Sequence, residues 1–265
     1  MSPTKFARFF AKRLVNRVYV NLRALTNEPP EVPFLILGEA RTGTNYLADL
    51  LRSHPDISVA GEILNPYDPR GFRLFFRSQK RVIRHIVNSL RALDRKCRGA
   101  QTHLLHFEMH RLPLEVLWRA LPDLKFIVIF RRSLGLQYVS WKLAKVSGHW
   151  IGVSKDRIHR TKITVDPHHF QIWCQAVRRR YRALENCPGL WNRAVAIAYE
   201  DLVASPQQVM DQWVFPLFGV HAVEVKSHLW KQNPRELHEC VENYAEVGEL
   251  LERERLESVG PSEAE

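Results

Sequence analysis

Runs of apolar residues alternate with helical periodicities along most of the chain. Phe34-Leu35-Ile36-Leu37 and Phe126-Ile127-Val128-Ile129-Phe130 are uninterrupted and strand-length, the mark of strands buried on both faces of a parallel sheet. Ala194-Val195-Ala196-Ile197-Ala198 reads the same way, and Ile57-Ser58-Val59-Ala60 as a shorter strand. Between them, apolar positions recur at three and four. Tyr46, Leu47, Leu50 and Leu51 define a helix that ends near Ser53-His54-Pro55, and further helices are expected over 70–98, 113–120, from Arg132 to about Val146, 169–185 and 205–218. A strand is placed at 103–107. Residues 147–168 show little periodicity and read as an irregular excursion over one face. The fold class expected is therefore α/β, three layers in a P-loop-like arrangement: a central parallel sheet flanked by helices.

The first 27 residues stand apart. Lys5, Arg8, Lys12, Arg13, Arg17 and Arg23 occur there with no acidic residue, and Phe6, Phe10, Leu14, Val18, Leu22 and Leu25 repeat at three or four. This is a basic amphipathic helix, and three readings of it stay open: a peripheral contact of residues 5–25 with a membrane surface, a transit segment, or packing against the domain or a second subunit of a homodimer. Asn27-Glu28-Pro29-Pro30-Glu31 breaks it. The expected organisation is a helix and linker over 1–30, one domain over 31–255, and an acidic, disordered tail over 256–265.

Composition narrows the partners. Of 265 residues, 45% are hydrophobic and 25% charged, which excludes a disordered or fibrous chain. The formal charge of +11 favours an anionic partner. It is unevenly spread, with −8 from Glu236 to Glu265 and +19 before that. The four cysteines, Cys97, Cys174, Cys187 and Cys240, lack paired spacing, so the expectation is a reducing, cytoplasmic setting without a disulfide framework or thiolate metal site. His103, His106 and His110 lack a completing Cys or carboxylate, and no metal is expected.

The most informative segment is Gly38-Glu39-Ala40-Arg41-Thr42-Gly43-Thr44-Asn45, between the first strand and first helix. Backbone N–H groups and a helix N-terminus make an anion site there. The two glycines are spaced as in the nucleotide triphosphatase loop, but Thr44-Asn45 stands where that motif has Lys and Ser or Thr. This disfavours the alternative of a kinase-like phosphoryl transferase. The basic nucleic-acid-binding alternative, suggested by a pI near 9.7, has no motif to support it.

Arg41-Thr42-Gly43-Thr44 resembles the 5′-phosphosulfate loop of sulfotransferases that use 3′-phosphoadenosine 5′-phosphosulfate (PAPS). The resemblance extends to Arg132 and Ser140, eight apart after the strand that ends at Phe130, where the family binds the 3′-phosphate. Lys231-Gln232-Asn233-Pro234-Arg235 and Val241-Glu242-Asn243-Tyr244 resemble the C-terminal region of the carbohydrate branch, which includes the trehalose and nodulation-factor enzymes. Tyr199-Glu200-Asp201-Leu202 matches a family segment read as structural. The resemblance spans about 33–250.

It implies a sulfotransferase moving a sulfuryl group from PAPS to a hydroxyl of a carbohydrate or glycolipid, without metal. Arg41, Thr42, Gly43, Thr44, Asn45, Arg132, Ser140, Asn233 and Arg235 would hold the nucleotide. Arg41 would stabilise charge on the leaving group, and Glu62, at the carboxyl edge of the second strand, would be the base, with His106 its rival. His149, Trp150, Lys155 and Arg157 in the irregular excursion are where acceptor recognition is expected.

Overall fold

A computed structural model describes residues 3–68, 71, 78–150, 161–229 and 236–261. Its core is a five-stranded, wholly parallel sheet in the order β2-β3-β1-β4-β5, formed by β1 (Val32–Gly38), β2 (Ile57–Glu62), β3 (Cys97–His103), β4 (Lys125–Phe130) and β5 (Ala194–Ala198). Helices cover both faces, as expected for continuous apolar strands.

Alternation along the strands sorts the core into two layers. Phe34, Ile36, Ile127 and Ile129 face one side, where α2 (Thr44–Arg52) lays down Leu47, Leu50 and Leu51. The same layer takes Val209, Met210, Val214, Phe215 and Phe218 from a continuous helical run, α9 (Pro206–Val209) and α10 (Phe215–Phe218) joined by a π-helical turn, Met210–Val214. Leu35, Leu37, Phe126, Val128 and Phe130 face the other side. There they meet α3 (Gln79–Arg91), α6 (Leu134–Ser147) and α7 (Pro167–Glu185).

The sheet differs from expectation at one strand. Of residues 103–107 only His103 is in a strand, where β3 ends, and Leu104–His110 is a helix, α4. The strand Cys97-Arg98-Gly99-Ala100-Gln101-Thr102-His103 carries no apolar run because it sits under bulk supplied by its neighbour. A Cβ on Gly99 would lie 2.1 Å from the Phe34 ring. Helix α3 correspondingly occupies only part of the helical span expected over 70–98; residues 72–77 lie outside the described ones.

Two terminal expectations are resolved locally. The N-terminal helix α1 (Pro3–Thr26) is part of the fold: Asn27 Nδ2 donates to the carbonyls of Arg91 (3.0 Å) and Leu93 (2.9 Å), and Arg13 donates to Pro66 O and Gly71 O. At the other end, residues 256–261 belong to the fold rather than to a loose tail. The Leu256 N–H donates to Arg132 O at 2.9 Å, and Val259 is buried. They follow two short helices not anticipated from periodicity, α11 (Leu237–Cys240) and α12 (Tyr244–Arg253).

Strand order fixes where a ligand can bind. The connection leaving β1 runs toward β2 and β3, and the one leaving β4 runs the opposite way to β5. The adjacent carboxyl ends of β1 and β4 therefore form the switch point of the sheet. Register aligns Gly38 with both His103 and Ile129 on that edge.

Candidate functional site

Residues 39–43 turn the end of β1 into α2. The turn is held from below. Thr42 Oγ1 donates to Glu39 O (2.8 Å), the Tyr181 hydroxyl accepts from Glu39 N (3.2 Å) and donates to Ile129 O (2.8 Å), and Gln137 Nε2 donates to Ala40 O (2.9 Å). The buried Glu39 carboxylate is gripped by Arg180, Nε to Oε1 at 2.6 Å and Nη2 to Oε2 at 3.1 Å. Burial raises the Glu39 carboxyl and Arg180 opposes that rise. Gly43 has φ of 93°, and a Cβ there would lie 2.4 Å from the Tyr199 ring, so both backbone and space require glycine.

Arg41 itself has φ of 70°, an unfavourable conformation for a side-chain-bearing residue, at the point where the loop meets the open edge. Its Nε donates to Ser140 Oγ (3.0 Å) and its Nη1 to Trp150 O (2.6 Å). Burial first, and the charge of Arg131 second, push the Arg41 guanidinium down to about 10. Arg41 is half-buried and Arg131 buried, with the Arg131 guanidinium 4.8 Å from the centre of the Tyr199 ring. Its Nε is enclosed without a hydrogen-bond acceptor; Glu200 Oε1 stands 4.0 Å away. A half-buried Arg41 and a buried Arg131 thus stand together beside a helix N-terminus.

The two members of the Arg131-Arg132 pair face different sides. Arg131 continues the Ile127, Ile129 alternation toward the loop side, whereas Arg132 follows Phe130 to the other. There Arg132 makes a two-pronged pair with Asp201, both bonds 2.6 Å, and its backbone N–H donates to the Glu200 carboxylate. Ser140 does reach the site, through Arg41. Thr42 faces inward and pins the loop, Thr44 is buried at the start of α2, and Asn45 is half-buried in its first turn. Asn233 and Arg235 lie outside the described residues, as do Lys155 and Arg157. Tyr199, passed over as structural, covers both Gly43 and Arg131; its place directly after β5 was the available signal.

Glu62 ends β2 on the same edge. Asn65 Nδ2 donates to its Oε2 at 2.6 Å, and His103 Nε2 is 3.4 Å from its Oε1. Burial, then the charge of Arg41, pushes His103 down to about 4, so it stands uncharged beside the carboxylate at neutral pH. The His106 ring stacks on His103 at 5.0 Å, and its Nδ1 accepts from His103 N at 3.4 Å. Burial, then His103, pushes His106 down to about 3, making it a poor proton acceptor. Glu62 is thus half-buried at the edge, and His106 is buried against His103.

Among the described residues one group has metal-ligand reach: His54, Asp56 and His221, at the opposite end of the sheet from Glu62. Both His54 ring nitrogens are engaged, Nε2 with His221 O and Nδ1 with Asp56 N, each at 3.0 Å.

No family model matches the chain. It is similar to Nodulation protein H of Rhizobium meliloti (strain 1021), 31% identical over 48% of this chain and 53% of that protein. It is also similar to Nodulation protein H of Rhizobium tropici, 25% identical over 83% of this chain and 89% of that protein. The match to the first thus spans about half of that relative's length. Among solved structures, the sulfotransferase from Alicyclobacillus acidocaldarius is 15% identical over 78% of this chain and 87% of its own, with a TM-score of 0.49. The chain is thus similar to the nodulation H proteins, and its Arg-Thr-Gly-Thr loop stands at the switch point of a parallel sheet.

Proposed function

We propose that the protein transfers a sulfuryl group from PAPS to a hydroxyl of a carbohydrate or glycolipid. The observation that carries this reading is the pair of guanidiniums, half-buried Arg41 and buried Arg131, above a phosphate loop that has no lysine at its end. The unsatisfied Arg131 Nε fits an anionic nucleotide, since a buried donor without an acceptor costs free energy that a phosphate oxygen would restore.

When bound, PAPS supplies a sulfuryl group already activated on a phosphate. Arg41, the N-terminus of α2 and Arg131 hold the negative charge, with Tyr199 closing one wall. Arg41 also acts on charge that grows as the phosphate leaves, and because it is fixed by Ser140 and the Trp150 carbonyl it is oriented in advance. Glu62 takes the proton from the acceptor hydroxyl. Asn65 and neutral His103 hold its two oxygens in place, and burial of His103 keeps a second cation from pairing with the base.

Trp150 at the start of the irregular excursion reaches this edge through its carbonyl, which supports assigning acceptor recognition to that side. The four thiols are buried. Among the described residues no helix is long and apolar enough to cross a membrane.

Calorimetric titration with adenosine 3′,5′-bisphosphate and, separately, with magnesium and ATP tests the nucleotide assignment. Binding of the bisphosphate without any need for magnesium is expected. Magnesium-dependent ATP turnover would instead support phosphoryl transfer.

A further inference from the structure

Helix α1 packs in an unusual sense, independent of the reaction proposed above. Its inward face consists of Phe9, Arg13, Asn16, Val20 and Ala24, which lie against the domain, with Arg13 tied to Pro66 and Gly71 and Asn21 Oδ1 accepting from Asn88 Nδ2 at 3.1 Å. Its outward face is apolar. Leu14 is 65% exposed, Val18 51%, Leu22 60% and Leu25 83%, and these four are spaced at four, four and three along one side, with Val15 and Tyr19 adjoining them. Most other large apolar side chains exposed on this molecule stand singly; here six line one helix.

Exposed Arg8 and Lys12 flank this stripe on one side and exposed Arg17 on the other, and no acidic residue occurs before Glu28. A second copy of the chain would bring the same cations against themselves. A lipid surface carrying negative headgroups matches both the apolar stripe and its charged margins. We infer that the outer face of α1 is a membrane-docking surface, which lies in the plane of an anionic bilayer while the domain stays in water.

The packing of the opposite face gives this inference its particular content. Because Asn27 is hydrogen-bonded to the Arg91 and Leu93 carbonyls and Arg13 to the carbonyls of Pro66 and Gly71, the helix is already formed before it meets lipid. Binding then does not have to order a free peptide, and the domain is held in one orientation to the membrane.

Flotation of the full-length protein with phosphatidylglycerol-containing vesicles and with pure phosphatidylcholine vesicles tests the inference. Wild type is expected to float with the anionic vesicles and to stay below with the neutral ones. The Val18→Ser/Leu22→Ser protein, of unchanged charge, is expected to bind the anionic vesicles at least tenfold less well, while its thermal melt stays at the wild-type position because both residues are exposed. Arg8→Gln/Lys12→Gln should lose binding as well. Undiminished binding by the serine variant would mean unspecific attraction of a basic protein and would overturn the inference, as would failure of wild type to bind either vesicle. A wild-type dimer in sedimentation equilibrium that Val18→Ser/Leu22→Ser dissociates would assign the stripe to a second copy and overturn it too.

Discussion

Replacing Arg131 and Arg132 separately by methionine distinguishes a nucleotide site that uses Arg131 from one that uses Arg132. Arg131→Met keeps an apolar stem against Tyr199 and removes a buried guanidinium whose Nε has no acceptor. With nucleotide bound, the lost interaction is a charge-assisted hydrogen bond, worth about 1.5–3 kcal/mol. That corresponds to a Kd for adenosine 3′,5′-bisphosphate weaker by roughly 10- to 150-fold. The nucleotide-free variant should melt no lower than wild type, because removing Arg131 also relieves its repulsion of Arg41. Arg132→Met breaks the pair with Asp201, more than half of whose side chain is exposed, and such pairs contribute only about 0.2–1 kcal/mol to stability. Its Kd should stay within about threefold of wild type. Calorimetric titration of both proteins reads the two values directly. An Arg132→Met protein that binds the bisphosphate more weakly than Arg131→Met would refute the assignment of Arg131 to the site.

Other consequences concern the base, the loop support and acid stability. Glu62→Gln should lower kcat by about 10²- to 10⁴-fold, the usual contribution of a general base, with the bisphosphate Kd nearly unchanged; full turnover would eliminate Glu62. Arg180→Met leaves the Glu39 carboxylate buried and unpaired and should cost about 3–5 kcal/mol in urea unfolding, whereas the double variant Glu39→Gln/Arg180→Met should recover much of that loss. Gly43→Ala should abolish nucleotide binding, and a titration matching wild type would show that the Tyr199 wall yields. Burial holds His85 near 4, His103 near 4 and His106 near 3, each below the ordinary value of 6.5. The unfolded chain therefore takes up protons that the fold refuses, and stability should fall as pH drops from 6.5 toward 4. The slope is about 1.4 kcal/mol per pH unit for each imidazole. A urea midpoint equal at pH 7 and pH 5 would contradict this.

The parts of the fold that were legible are those whose own residues carry the signal. β1, β4 and β5 are continuous apolar runs, and α2 has a clear periodicity after a glycine-rich turn. β3 was hidden because a strand that lies beneath Phe34 needs Gly99 and small neighbours, so its apolar character resides in another strand. The loop was readable from Arg41 and Gly43, since a left-handed turn at the end of a strand needs few residue types. For the second arginine, a spacing of eight from Ser140 points to Arg132, whereas strand alternation turns Arg131 toward the loop side. The position of Glu62 at a strand end is legible in the sequence, while its contacts with Asn65 and His103 depend on the β2-β3 register and on a bulge after Ala60 that no local pattern records.

The central claim is that Arg41, Arg131 and Glu62 together carry sulfuryl transfer. It is tested most directly by incubating wild-type protein and Glu62→Gln with PAPS carrying radiolabelled sulfur and a panel of oligosaccharides and glycolipids, and following the label. The account predicts that label passes to a carbohydrate-bearing acceptor with wild type and not with Glu62→Gln, while both proteins bind adenosine 3′,5′-bisphosphate. Absence of transfer to any acceptor together with absence of bisphosphate binding by wild type would contradict it.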